Sequence, residues 1–362
     1  SAGATATLAA GLNFSTYGGG FTSGDLRIYN TTQTGATAQN LTMTGTARLY
    51  MVSSTWNGNV NFSSARIYTQ DCNYNGTAIL SKTGASDDAS PGGNTFAQDL
   101  TINNSGSGYI MTCNGNPDTY SGNVTITNSG SNIVYFADNA VGISVVGNLN
   151  ITNTGAATGI RVARLVGSTV TVGGNLTLTD DGTADHANYL ANSGTLTITG
   201  NLSVTNNCSA TTTNHYVSNG TTAQITVNGT ADFINNGTGA TSQRYWIGDQ
   251  GTATFNGDVT AQNNSSATNS EIFFHRTATG IVNFNENIII ETTVANILLL
   301  KNGQLTTPKL DKSGVFGVYL AHLAKHIDIK FDTVSLSDCY SADNLFCCNS
   351  LMGIVPITRL DT

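Results

Sequence analysis

The residues able to do chemistry in this chain are few and scattered. Hydrolysis of a glycosidic bond needs two carboxyl groups about 5 to 9.5 Å apart, and Asp180-Asp181 is the best adjacent acid pair. Asp180 falls, however, where Asn stands in the neighbouring repeats, and neither a Gly-His-Gly nor an Arg-x-Lys follows it, so the pair reads as a solvated corner. Arg161 and Arg164 could form a guanidinium clamp, but the calcium-binding acids it would need are missing, leaving a surface stripe. His322 and His326 have the i, i+4 spacing of helical metal ligands, with only Asp328 as a third. His186, His215 and His275 occupy non-equivalent positions and form no visible constellation. The six cysteines contain no C-x-x-C pair, which argues against a zinc or redox site. Cys339, Cys347 and Cys348 are close enough in sequence for a local disulfide, whereas Cys72, Cys113 and Cys208 read as small buried hydrophobes. The expectation is a chain with no catalytic residue, no metal and no cofactor.

What must position any functional residue is a repeat. The phrase Gly122-Asn-Val-Thr-Ile-Thr-Asn128 returns as Gly147-Asn-Leu-Asn-Ile-Thr-Asn153, Gly174-Asn-Leu-Thr-Leu-Thr-Asp180 and Gly200-Asn-Leu-Ser-Val-Thr-Asn206. Weaker copies open at Gly229, Gly257 and Glu286, and the intervals are 25, 27, 26, 29, 28 and 29 residues. A period near 27 that absorbs small insertions marks the coils of a solenoid. Each phrase alternates apolar with polar, as a strand buried on one face does. Val124, Leu149, Leu176, Leu202, Ala231, Val259 and Ile288 should therefore stack inward, and so should Ile126, Ile151, Leu178, Val204, Phe233, Ala261 and Ile290.

Two further alternating segments fit each coil, for example Val134–Phe136 and Ile143–Val145, so the expected fold is an all-β, right-handed parallel β-helix with about three strands per coil. Asn128, Asn153, Asp180, Asn206, Asn235 and Asn263 fall at one corner of successive coils, where amides can bond to the rung above and to the turning backbone. This accounts for a composition in which 42 Asn and 55 Thr supply 97 of 362 residues, usage that excludes an ordinary helical or α/β enzyme. Upstream, the phrase is followed loosely at Gln98, Gly58 and Gly24, with intervals of 24, 40 and 34 that imply long corner loops, including Ser81–Asn94. The expected organisation is irregular coils over 1–97, regular coils over 98–305, and a C-terminal cap or small module over 306–362, with a short helix in Tyr319–Lys330 and strands in Ile327–Leu336 and Ile354–Leu360.

One outward column invites a binding role. Tyr135, Arg161, Tyr189, Tyr216, Trp246 and Phe273 would project from the same face about 4.8 Å apart, a ladder able to stack on sugar rings or to pack across its own rungs. The net charge of -8, with basic residues scattered, excludes a nucleic-acid footprint. No apolar run reaches the ~20 residues of a spanning helix, so no membrane insertion is expected.

The stretch from Leu8-Ala-Ala-Gly11 through Ser23-Gly-Asp-Leu-Arg27, Thr34–Thr42, Asn75-Gly-Thr-Ala78, Gly92-Gly-Asn-Thr-Phe96 and Asn104-Ser-Gly-Ser-Gly-Tyr109 resembles units of the giant repeat-rich cell-surface adhesins of Bacteroidetes, the SprB-like gliding-motility adhesins. That resemblance implies type 9 secretion, an extracellular location at the cell surface, and attachment to polysaccharide or an abiotic surface. Asp332-Thr-Val334 fits the O-glycosylation pattern of the same phylum. The sequence is thus expected to be an adhesive or structural solenoid and not an enzyme, continuing in a longer chain or assembling head to tail into a filament. The alternative is a polysaccharide lyase or hydrolase on the same frame.

Overall fold

In the computed structural model the described residues are 6–8, 22–155, 159–275, 277–284, 295–309, 317–334, 336–351 and 353–357. They divide into two compact units, one running to Asn283 apart from a short excursion at Asn256–Thr260, the other comprising that excursion and Phe284–Thr362.

The first unit is the expected parallel β-solenoid, of about 11 turns. A ten-stranded sheet collects the phrase strands from Gln39–Thr42 to Val259–Asn263, an eight-stranded sheet the middle strands from Asp88–Ala89 to Asn269–Phe274, and a twelve-stranded sheet the third strands from Ala6–Leu8 to Ile281–Phe284. Register follows the repeat residue for residue: Val124 pairs with Leu149, then Leu176, Leu202 and Ala231. Ile126, Ile151, Leu178, Val204 and Phe233 form the second inward row by the same pairings. All ten of these side chains are buried. Parallel rungs of identical spacing let each aliphatic side chain rest on its equivalent one coil away, which is how a 3-to-5-residue strand finds enough apolar contact.

Three expectations change. The 40-residue interval after Gly58 conceals a whole coil: Ala78–Lys82 pairs with Val60–Ser64 on one side and Leu100–Asn104 on the other. The phrase there, Gly76-Thr-Ala-Ile-Leu-Ser-Lys82, carries an apolar Ile79 on the outward face, which obscures the alternation. The Ser81–Asn94 loop is correspondingly cut short, with Ser81 in that strand and Asp88–Ala89 in the eight-stranded sheet. Asp25–Tyr29, expected as a phrase strand, instead joins Arg48–Val52 and Arg66–Gln70 in a separate three-stranded sheet. At the far end, Val259 is only half-buried and Ala261 exposed, because their strand is the last described one of its sheet. The coil expected at Glu286–Thr292, with Ile288 and Ile290, lies outside the described residues.

A second polar ladder runs beside the first residue of each phrase. The backbone N–H groups of Asn148, Asn175, Asn201 and Thr230 donate to the Oδ1 atoms of Asn123, Asn148, Asn175 and Asn201 one coil back, at 2.8 to 2.9 Å. The adjoining glycines leave no room for a side chain: a Cβ on Gly174 would sit 2.9 Å from the Gly147 carbonyl oxygen and closer still to Asn148 Oδ1. Gly174→Ala is therefore expected to destabilise the solenoid by about 1–3 kcal/mol, the usual effect of forcing a methyl into filled space. A chemical-denaturation midpoint unchanged from wild type would show that the coils separate freely there.

The second unit contains a five-stranded mixed sheet ordered Ile329–Asp332, Gln304–Pro308, Asn296–Lys301, Asn344–Asn349, Gly353–Pro356, with helices Val318–Leu323 and Leu336–Ser341. The expected short helix and both expected strands of the tail correspond to Val318–Leu323, Ile329–Asp332 and Gly353–Pro356. Alternation puts Leu298 on one face with Leu320, Leu323, Ile329 and Cys348, and Leu299 on the other with Val334, Cys339 and Leu345. All six cysteines are free thiols, and Cys339 and Cys348 belong to different core clusters, so the local disulfide is absent.

Candidate functional site

The outward column forms as the spacing predicts, Tyr135, Arg161, Tyr189, Tyr216, Trp246 and Phe273 pairing rung to rung. Its rings stack on one another: Tyr189 on Tyr216 at 4.7 Å, Tyr216 on Trp246 at 6.0 Å, Trp246 on Phe273 at 4.6 Å, all within 11° of parallel. The Arg161 guanidinium lies over the rings of Tyr135 and Tyr189 at 5.7 and 5.0 Å. The inner faces of this column are thus taken up by neighbours, and Trp246 is buried with its indole N–H donated to Asn214 Oδ1. This is packing across rungs, held together by offset stacking and cation–π attraction.

The corner ladder also forms, as a chain of amides. Asn104 Nδ2 donates to Asn128 Oδ1, Asn128 to Asn153 and Asn153 to Asp180 at 3.0 to 3.3 Å, and the chain resumes from Asn206 to Asn235 and from Asn235 to Asn263 at 2.9 Å. Asp180 interrupts it, because an ionised carboxylate accepts and has nothing to donate to Asn206. Far from being a solvated corner, Asp180 is fully buried, and Asp181 alone is exposed. The adjacent acids therefore form no catalytic pair.

Around Asp180 the fold collects residues that sequence reasoning left apart. His186 opens one middle strand, His186–Ala191, and His215 lies in the next, Thr212–Ser218. Cys208 follows the phrase strand Leu202–Asn206, one coil beyond the strand that ends at Asp180. His186 Nε2 is 2.7 Å from Asp180 Oδ2, His215 Nε2 is 3.3 Å from the same oxygen, and Cys208 Sγ is 4.0 Å from His186 Nε2. Asn188 Nδ2 donates to Oδ2 at 2.6 Å and Asn153 Nδ2 to Oδ1 at 3.0 Å. Gly182 makes the approach possible: its absent Cβ would meet His186 Cε1 at 2.5 Å. Parallel stacking explains the convergence, since positions 26 or 27 residues apart in sequence stand one rung apart in space here. The legible signal was a lone acid in an Asn column with histidines in the two adjoining middle strands.

Electrostatics follows burial. Burial pushes the Asp180 carboxyl upward, but the His186 hydrogen bond and the two imidazoles outweigh it and hold the carboxylate below its usual range. Burial works to neutralise His186, and its bond to Asp180 prevails and raises it. His215 is driven down to about 4 by burial and is neutral. Burial likewise pushes the Cys208 thiol up.

In the second unit, His322 and His326 have rings 4.7 Å apart on an exposed face, and both Asp328 and the helix end there are exposed. Lys301 Nζ donates to Ser341 Oγ at 2.8 Å, and Lys330 pairs with Asp332 at 2.5 Å.

Comparison with known proteins bears on this second unit. Residues 276–360 match the family described as amino-transferase class IV. An aminodeoxychorismate lyase of Vibrio harveyi is 33% identical over 80 residues, covering 21% of this chain and 30% of the lyase. A protein of Methanocaldococcus jannaschii bearing a provisional branched-chain-amino-acid aminotransferase name is 33% identical over 82 residues, 21% of this chain and 28% of that protein. A solved 4-amino-4-deoxychorismate lyase from Pseudomonas aeruginosa is 30% identical over 24% of this chain and 35% of its own, with a TM-score of 0.21. The chain thus spans about 30% of the length of the curated relatives it matches. The family match and the two sequence relatives overturn the adhesin, filament and gliding-motility reading and the expectation that the chain is not an enzyme. The carbohydrate-active alternative falls with them, its acid pair being split between core and solvent. Residues 276–360 are similar to class IV aminotransferases and lyases, and the solenoid stands before them in the same chain.

Proposed function

We propose that this chain is part of an amino-group-transferring or lyase enzyme of the class IV type, with residues 276–360 contributing to the catalytic unit. The observation that carries the reading is a coincidence of boundaries: the matched stretch, 276–360, nearly overlays the compact unit Phe284–Thr362. That unit has its own sheet with core clusters on both faces.

Enzymes of this family use pyridoxal phosphate, which is carried on a lysine and held through its ring nitrogen. The described residues of the segment do not fit that group. Lys301, Lys309, Lys325 and Lys330 are all exposed, with Lys301 and Lys330 engaged by neighbouring polar groups, and Lys312 lies outside the described residues. No chemical step is assigned to them. Two substrate classes follow from the relatives' names, 4-amino-4-deoxychorismate and branched-chain amino acids.

The test is a hybrid in which residues 276–360 replace the matching segment of the Vibrio harveyi lyase. Retained pyridoxal phosphate absorbance and turnover within about a hundredfold of the parent are expected. A soluble, folded hybrid that retains no cofactor sinks the reading.

A further inference from the structure

The buried cluster at Asp180 lies in the solenoid and is independent of the aminotransferase-like segment. One donor atom each from Asp180, His186 and Cys208 falls within 4.8 Å of the others, and all three residues are buried. They represent three kinds of metal-binding atom: carboxylate oxygen, imidazole nitrogen and sulfur. A fourth stands beside them, because His215 Nε2 is buried, lies 3.3 Å from Asp180 Oδ2 and makes no hydrogen bond. Buried polar atoms are nearly always partnered, and an orphan aimed at other donors points to a missing bridging atom.

The surroundings are those of a ligand set. His186 Nδ1 is anchored on the Ala184 carbonyl at 2.5 Å, which fixes the ring and leaves Nε2 facing inward; metal-bound histidines are oriented in this way by their second nitrogen. The carboxylate is steadied by Asn188, Asn153 and the Gly182 N–H. Every other described rung of the ladder from Asn104 to Asn263 has Asn where this one has Asp180. The charged acid therefore enters beside a histidine of its own coil and a cysteine and histidine of the next.

We propose that Asp180, His186 and Cys208 bind one zinc-class divalent transition metal ion inside the solenoid, with His215 Nε2 as the fourth donor. With bond lengths of about 2.0 to 2.3 Å, neighbouring donors of a tetrahedral zinc site are about 3.3 to 3.7 Å apart. The His215–Asp180 separation of 3.3 Å already meets this, and the Cys208–His186 separation of 4.0 Å is a short way outside it. The His186–Asp180 contact of 2.7 Å must open by about 0.6 Å as the metal replaces the shared proton. One dication then balances one carboxylate and one thiolate, with two neutral imidazoles, so the dry interior carries no net charge. Binding releases the thiol proton and the proton shared by His186 and Asp180 to solvent. The ion holds together residues from two successive coils, a structural closure of the rungs.

The full-length chain, purified without chelator, should contain close to one zinc per chain by elemental analysis. Refolded with cobalt(II) in place of zinc, it should show visible cobalt bands together with a sulfur-to-cobalt charge-transfer band in the near ultraviolet. Cys208→Ser should abolish the charge-transfer band. Asp180→Asn, which restores the ladder residue, should lower cobalt occupancy at least tenfold while leaving the far-ultraviolet circular dichroism of the solenoid unchanged. The proposal is overturned if refolded wild type takes up no more cobalt or zinc than Asp180→Asn, or if Cys208→Ser keeps the charge-transfer band. In the first case Asp180 and His186 share only a proton.

Discussion

Phe233→Ala is expected to lower the stability of the solenoid by about 3–5 kcal/mol. The Phe233 side chain is fully buried and meets Tyr245 and Phe255 edge to face at 6.0 Å and Phe274 at 6.5 Å. It is the largest member of the inward row that continues from Val204. Truncation removes the ring's burial and leaves a cavity whose walls are fixed by backbone ladders on both sides, so little collapse can relieve it. Tyr245 also hydrogen-bonds through its hydroxyl to the carbonyls of Val204 and Ile234, which pins the wall of that cavity. Phe273→Ala, in the outward column, removes a half-buried ring and should change stability by less than about 1 kcal/mol. Denaturant titrations followed by far-ultraviolet circular dichroism compare the two. Equal effects would mean that the two columns are not separated into core and surface.

The second large effect concerns the buried ion pair. In chelator-treated protein, Asp180→Ala leaves His186 buried without its counter-charge and should cost about 3–5 kcal/mol. Asp180→Asn should cost less, because its single amide oxygen can still accept from Asn153, as in the other rungs of the ladder, although the bond from Asn188 is lost. The pH dependence has a defined sign. Asp180 has a lowered pKa in the folded chain, so its contribution is present above the unfolded value near 3.9 and is lost as pH falls through the folded one. His186 is raised, so its contribution is complete below about pH 6.5 and fades as pH rises through its folded value. His215, at about 4, is protonated in the unfolded chain before the folded one, so stability falls by roughly 3 kcal/mol as pH drops from about 6.5 to about 4. Asp185 adds to the raising of His186, and the high-lying Cys208 thiol stays uncharged throughout this range. Metal-free wild type should therefore be most stable near pH 6.5, and His215→Gln should flatten the acid limb. A stability curve that rises steadily from pH 7 to pH 9 would contradict the assignment of charge to His186.

The solenoid is legible because its information is local and repeated. Gly174-Asn-Leu-Thr-Leu-Thr-Asp180 and its copies declare strand, face and corner within seven residues, and identical periods fix the register. Legibility fails where the pattern is blurred by one residue, as at Ile79 in the overlooked coil, or where a coil departs from the repeat, as in the three-stranded sheet beginning at Asp25–Tyr29. It also fails at the Asp180 cluster. The ladder revealed Asp180 as a corner residue, but the company it keeps depends on which turn of the middle strand brings His186 and His215 round to it. The second unit shows a different difficulty. Ile297–Leu300 is an apolar run of strand length, indistinguishable by pattern from a solenoid strand, yet it lies in the mixed sheet and pairs antiparallel with Asn344–Asn349. Only comparison with other proteins linked that unit to an enzyme family.

The outer amide ladder at Asn123, Asn148, Asn175 and Asn201 carries a consequence for how such a chain changes over generations. Each rung presents the same acceptor to whatever rung comes next. Recombination that duplicates or deletes one full period would rejoin like with like at both seams. Length is then a quantity the gene can vary in whole units, without new residues having to be selected where the pieces meet.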